Sequence, residues 1–306
     1  MGTPALSICI PCYKRVEQVR NTLKSIYEDN SEVPLDKYEV IISDNDPQHE
    51  MKSVIEDFRD KSNLHYYNTS CEGFMNSYYV LTYGKGRFLK LHNSQNMFRK
   101  GSLQVLIDDI GQSTSQGVVR FYTNGLLMNG TRKTFYTFEE FMQSLSYWSS
   151  WSGGFGIWKD KFLSILNIKL DPLFPHTSLF LQQYDAHQYV IDDRVLVDVQ
   201  RVAKRGGHNK FEAFTIHYPS LIEKSYSQGH ITEECKNRIF RALYKDFIPT
   251  LLFNKYIARI ETFEAEGFKD NCETFFPKGA YWIAWLNVLF VPYKMLRRKI
   301  WMLMKA

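Results

Sequence analysis

The strongest constraint on this chain is the way its first hundred residues alternate between two hydrophobic periods. Residues 6–10 (LSICI) form a short apolar run ended by Pro11, the pattern of a buried strand. Val16, Val19, Leu23, Ile26 and Tyr27 then fall at helical spacing and predict an amphipathic helix over 16–27. Residues 38–43 (YEVIIS), rich in β-branched side chains, predict a second strand that runs into Asp44-Asn45-Asp46-Pro47. A helix over 51–59, a strand over 64–67, a helix over 76–83 stopped by Gly84-Lys85-Gly86 and a strand over 87–91 continue the series. A β-α-β-α-β-α-β order is satisfied by a parallel sheet with helices on both faces. Such sheets bind ligands beyond the carboxyl ends of their strands. The loops at 11–15, 44–48, 70–76 and 92–96 are therefore where chemistry is expected.

The second part of the chain is less regular. A strand is expected over 117–121, an amphipathic helix over 138–148, a glycine-rich turn over 151–156 and a helix over 161–166. A loop bracketed by Pro172 and Pro175 ends in His176, followed by a helix over 177–184 that Thr177 would cap, and by strands over 189–191 and 195–199. Residues 201–210 form a basic loop, and from Thr232 onward the pattern is mostly helical. With 306 residues, the chain can hold one large α/β domain with an extension. The expected division is an α/β domain over 1–215 and a helical extension over 216–306.

Five scattered cysteines include one C-x-x-C, Cys9 and Cys12, with no second pair to complete a zinc site. They read as reduced, buried thiols. The amino terminus lacks the charged and apolar regions of a signal peptide, and no apolar stretch reaches the length of a spanning helix. A cytoplasmic location is expected. The net charge of +5 is concentrated at the end, where Lys278, Lys294, Arg297, Arg298, Lys299 and Lys305 meet no acidic residue. These cations alternate with Trp282, Leu286, Phe290 and Tyr293, the pattern of helices lying in a bilayer interface, broken at Pro292. A helical hairpin docked on the domain is the alternative. The tail is too apolar to favour nucleic acid.

Three stretches in order carry a family resemblance. Residues 6–15 (LSICIPCYKR), residues 40–46 (VIISDND), and Gly73 and Asn76 followed by residues 84–91 together resemble the family-2 inverting glycosyltransferases of GT-A fold. The resemblance is strong to about residue 105 and thinner to about residue 200. It implies a Rossmann-like, mostly parallel sheet flanked by helices, with a helical C-terminal extension. It also implies a nucleotide-sugar donor touched by Pro11, Tyr13, Arg15, Asp44, Asn76, Asn93, Ser94 and Gln95. From the residues alone, Asp44 reads first as a turn former before Asn-Asp-Pro.

One departure from the family pattern matters. Where the family carries Asp-x-Asp on its fourth strand, this chain has Asn93-Ser94-Gln95-Asn96, preceded by His92. Mg²⁺ and Mn²⁺ seek charged oxygen ligands. The expectation is transfer without a metal cofactor, with a Mg²⁺ or Mn²⁺ site rebuilt around His92 and a distant acid as the alternative. Diphosphate charge would then fall to Lys90, Arg99 and Lys210, and above all to Arg201, Lys204 and Arg205. The family's general base is an acid at the start of a short helix before two late strands. His176 holds that place here, with Asp185 as the fallback, while Asp192-Asp193 reads as a turn. Trp151, Gly153 and Gly154 resemble the acceptor-side loop. The implied acceptor is a glycan or glycolipid of bacterial surface polysaccharide synthesis, O-antigen or capsule, at the inner membrane face. A catalytically silent subunit binding a nucleotide or a partner is the second reading. A nicotinamide enzyme is disfavoured, since no G-x-G-x-x-G follows the first strand.

Overall fold

The computed structural model describes residues 2–111, 117–200 and 207–305. Strands β1 (Leu6–Cys12), β2 (Tyr38–Asp44), β3 (Leu64–Asn68) and β4 (Phe88–Leu91) are parallel and lie in the order β3-β2-β1-β4. The connecting helices are α1 (Val16–Tyr27), α2 (Lys52–Asp57) and α3 (Asn76–Tyr83). The chain continues through β5 (Asn96–Phe98), α4 (Ser102–Gly111), β6 (Val118–Tyr122), β7 (Arg132–Phe135) and α5 (Phe138–Leu145). Strand β8 (Gly156–Trp158) then closes the first sheet, antiparallel to β4. After α6 (Lys159–Ser164) and α7 (Pro175–Phe180), β9 (Gln188–Asp192) lies between β6 and β7 in a second sheet, and β10 (Val197–Val199) pairs with β5.

β1 is central and apolar on both sides. Leu6, Ile8, Ile10 and Cys12 face a core shared with α1, while Cys9 faces the opposite one. The C-x-x-C therefore splits across the sheet, because an odd separation in a strand reverses the face. Both thiols are buried and unpaired, and burial pushes both up, away from thiolate chemistry. Each fully buried aliphatic side chain here contributes about 1.5–3 kcal/mol.

The carboxy-terminal part is helical. α8 (Lys210–Glu212) passes through a π-helical turn, Ala213–His217, into α9 (Tyr218–Ser227). Then come α10 (Glu233–Ala242), α11 (Ile248–Leu252), α12 (Phe268–Phe275), α13 (Ala280–Asn287) and α14 (Val291–Lys305). One apolar cluster runs from Cys9 and Ile41 through Tyr218 and Ile248 to Val288. The late helices thus complete the core on one side of the sheet. Residue 215 falls inside the π-helical turn rather than in a linker. Among the described residues no helix is long and apolar enough to cross a membrane.

Candidate donor and acceptor site

The parallel register brings β1 and β2 to an end together, with Cys12 beside Asp44. Asn76, in the first turn of α3, locks the two ends. Its amide nitrogen donates to the carbonyls of Cys12 (3.2 Å) and Ser43 (2.8 Å) and to Asn45 Oδ1 (3.1 Å), and its oxygen accepts from the Ser43 hydroxyl. Expected as a donor contact, Asn76 instead spends its amide inside the protein and positions the loops. Asp44 is fully buried. Its Oδ1 accepts the Asp46 N–H (3.0 Å), closing a turn, and its Oδ2 accepts the Tyr66 hydroxyl (2.9 Å). The turn presents Asp46, whose Oδ2 is buried with no partner among the described residues. No sequence motif distinguishes this second aspartate from a turn residue.

Pro11 lies at the end of β1, and the next residues leave the sheet. Tyr13 is 54% exposed. Lys14 and Arg15 are both left-handed, with φ of 57° and 64°. Two consecutive non-glycine residues in this region store backbone strain of about 1–3 kcal/mol each, a feature of ligand loops. The strained loop lets Arg15 Nη1 donate to Gln95 Oε1 (2.9 Å), so the β1 loop meets the loop after β4.

That second loop is held from three sides. Thr22 donates to the carbonyls of Ser94 and Asn96 (both 3.1 Å), and the Ser152 hydroxyl donates to Asn93 Oδ1 (3.0 Å). His92 turns inward, stacks on Phe98 at 4.4 Å and bonds the Asn96 carbonyl at 2.7 Å, with its pKa lowered to about 3 by burial. Beneath it, buried Lys90 donates to the Leu91 carbonyl (2.7 Å) and to the Gly153 carbonyl, its pKa brought down to about 7 by burial. The side chains of residues 93–96 offer amides and one hydroxyl, and no carboxylate. Among the described residues no three His, Cys, Asp or Glu side chains gather as metal ligands. Residues 93–96 therefore supply no charged oxygen of the kind a hard divalent cation seeks.

The glycine-rich turn at 151–154 closes against both. A Cβ on Gly154 would lie 2.2 Å from the Phe121 ring, and one on Gly153 2.8 Å from the Trp151 indole and 3.1 Å from the Asn93 amide. Only glycine lets Trp151 and Asn93 approach so closely. The carbonyl of Ser150 accepts from His176 Nε2 (2.9 Å). His176 sits in the first turn of α7, buried, with its pKa lowered to about 4 by that burial. Its Nδ1 has no partner among the described residues.

Asp185 is not brought to this group. It pairs with Lys161 at 2.7 and 3.0 Å in a separate cleft beside Trp158, which pairs with Phe88 at the opposite end of β4. Asp193 accepts the backbone N–H groups of Leu127, Asn129 and Gly130 (3.1, 2.9 and 3.0 Å), and Asp192 pairs with Arg194, so both shape a turn. Arg201, Lys204 and Arg205 lie outside the described residues. Arg99 is held by Asp198 (2.8 Å) and Lys210 by Glu261.

The fold adds residues that no sequence motif indicated. Asp171 accepts the N–H groups of Leu173 (2.9 Å) and Phe174 (3.0 Å) ahead of α7, and its other oxygen meets His217 Nδ1 at 2.8 Å. The His208 ring packs edge-on against Phe74 at 4.7 Å, joining the segment before α8 to the turn before α3. These partners lie 46 or more residues apart, so periodicity carries no trace of them.

Residues 7–156 match the family described as Glycosyl transferase family 2. No curated protein matches the chain significantly. Among solved structures, residues 1–349 of TarS from S. aureus superpose with a TM-score of 0.55 at 14% identity, covering 82% of this chain and 75% of that one. The same protein in complex with UDP-GlcNAc gives a TM-score of 0.55 at 15% identity, covering 82% and 76%. The mannosyltransferase PcManGT from Pyrobaculum calidifontis, in complex with GDP-Man and Mn²⁺, gives 0.56 at 14% identity and covers 99% of this chain and 86% of that one. At such identities the likeness is one of fold, and it agrees with the sheet order. The chain is a glycosyltransferase of GT-A fold, and its residues 7–156 match the family-2 model.

Proposed function

We propose that the chain is an inverting, metal-independent transferase. It takes a sugar from a nucleoside diphosphate donor and passes it to a lipid-linked glycan at the inner face of the cytoplasmic membrane, in bacterial surface polysaccharide synthesis of the O-antigen or capsule type. The observation that carries this reading is one continuous series of contacts. Arg15–Gln95, Asn93–Ser152 and Ser150–His176 connect the β1 loop, the loop after β4, the acceptor-side loop and the start of α7. The neighbours were solved with UDP-GlcNAc and with GDP-Man, which supports a nucleoside diphosphate sugar as donor.

In this reading the exposed ring of Tyr13 stacks on the base. The unpartnered Asp46 Oδ2 accepts from a base N–H or a ribose hydroxyl, on the turn closed by Asp44. Arg15, with Arg201, Lys204 and Arg205, neutralises the diphosphate in place of a cation. Trp151 offers its face to the acceptor sugar. The acceptor hydroxyl attacks the anomeric carbon opposite the diphosphate, the bond to the leaving oxygen breaks, and the diphosphate departs with the electron pair. His176 takes the hydroxyl proton. Its Nε2–H is committed to Ser150, so Nδ1 is the bare nitrogen, and its lowered pKa keeps the ring neutral in the free protein. A bound diphosphate raises that pKa toward working range. His217, oriented by Asp171 at 2.8 Å and less buried, is the second candidate base.

The test is turnover of a nucleotide-sugar panel with purified glycolipid acceptor, with and without chelator. We expect chelator-resistant transfer, abolished in His176→Ala with donor affinity retained. Full activity in His176→Ala and loss in His217→Ala would move the base to the second histidine. Nucleotide binding without transfer or hydrolysis of any donor would favour the silent reading.

A further inference from the structure

α13 and α14 show two faces. Ala280, Ala284, Val288 and Val291 are buried, and the same side continues through Lys294 bonded to Asp246, Arg298 over the Trp148 ring at 5.8 Å, and Trp301 against Gly125. The other side faces water. Trp282, Leu286, Leu289, Tyr293, Leu296 and Ile300 follow one another at alternating steps of four and three, Leu303 completes the run, and each is 50–78% exposed. Of the 22 exposed large apolar side chains among the described residues, ten lie on these two helices and the 3₁₀ turn Val288–Phe290 between them. An apolar surface of this concentration marks a site of contact.

The charges say what covers it. Lys278, Arg297 and Lys299 are exposed around the stripe, and no acidic residue follows Glu273. The four–three spacing would also suit a helix from a second copy. In that pairing the flanking cations would oppose each other with no carboxylate to answer them. An anionic headgroup layer answers them directly. Trp282 and Tyr293 have the amphipathic rings that settle at headgroup level. α14 spans 15 residues, or about 22 Å, less than a bilayer core, so it lies flat.

We propose that the outer face of α13 and α14 docks on an anionic lipid bilayer, parallel to its surface. Since Arg298 packs on Trp148, three positions before Trp151, docking brings the acceptor-side loop toward the bilayer. The inference stands without the transfer chemistry, because it is read by lipid binding alone.

The experiment is flotation of the full chain with vesicles of phosphatidylcholine, alone or mixed with phosphatidylglycerol. Binding to the mixed vesicles is expected, about tenfold or more weaker to phosphatidylcholine alone or in high salt. Leu289→Glu with Ile300→Glu should lower binding about tenfold or more while leaving the melting curve unchanged, as both positions are exposed. Arg297→Glu with Lys299→Glu should remove the preference for phosphatidylglycerol. Independently of the charge variants, brominated lipid should quench wild-type tryptophan emission, and less so in Trp282→Phe. Absence of binding to either vesicle overturns the proposal. So does a vesicle-free dimer that Leu289→Glu with Ile300→Glu dissociates, since a second copy would then cover the face.

Discussion

Asn76 fixes the loops after β1 and β2 from inside the protein. It is a donor toward three oxygens and an acceptor for one hydroxyl. Asn76→Ala leaves buried groups unpaired and should cost about 2–3 kcal/mol, read from urea midpoints. Asn76→Asp should be no better, since a carboxylate would face the same three oxygens; full stability of Asn76→Asp would refute the pinning role. The buried histidines add a pH dependence. His176 falls from 6.5 to about 4 on burial, so between those values the unfolded chain binds more protons than the folded one. Stability is complete above pH about 6.5 and is lost as pH falls through that window, by about 3 kcal/mol for this ring. His92, lowered to about 3, acts in the same direction. His176→Gln should flatten the acid limb in urea denaturation followed between pH about 6.5 and about 4; an unchanged limb would show that the ring is charged or solvated when folded.

At the scale of elements, the strained turn between β1 and α1 is the most informative piece. Lys14→Gly removes a left-handed penalty of about 1 kcal/mol and should raise the melting temperature, while the loosened loop binds donor more weakly. Differential scanning fluorimetry with and without nucleotide reads both effects. Gly154→Ala has no room beside Phe121 and should cost about 1–3 kcal/mol by the same measurement. Elements with a strong period of their own were legible in the sequence. The helix at 16–27 and the strands near 38, 64 and 88 stand where the pattern places them. The helix expected over 138–148 ends at Leu145, because Ser146 turns left-handed with φ 51° and a 3₁₀ segment follows. α7 begins at Pro175 rather than at a Thr177 cap, since proline is preorganised for the first helical turn. The strands β5, β7 and β8 have three or four residues each, too few for a period, and their pairing is set by tertiary contacts, whereas β10 falls within the strand expected over 195–199. α4 has a readable face in Leu103, Leu106 and Ile110, but it falls between the recognised fourth strand and the next apolar run, where the reading placed no element.

Across the whole molecule, the sheet order and the strand-end site follow from alternation and family pattern, whereas the closing contacts do not. Asp171 with His217, Phe74 with His208 and Arg15 with Gln95 join positions that meet only after folding. The sequence singled out His176 and Asp44 as candidates, but not that Asp44 would be used internally and that Asp46 Oδ2 would have no partner among the described residues. The late helices complete one core with the sheet, so truncation before Lys210 should expose Phe180, Leu179 and Tyr189 and give an aggregating chain, detectable by light scattering. The proposed donor site is a nucleoside diphosphate pocket at the ends of β1, β2 and β4. Calorimetric titration with UDP, GDP and other nucleoside diphosphates, in chelator, tests it most directly. The expected result is saturable binding of at least one of them, weakened about tenfold or more in Arg15→Ala with an unchanged melting curve. Failure of every nucleoside diphosphate to bind, with chelator or with Mn²⁺, or binding that Arg15→Ala leaves untouched, would contradict it.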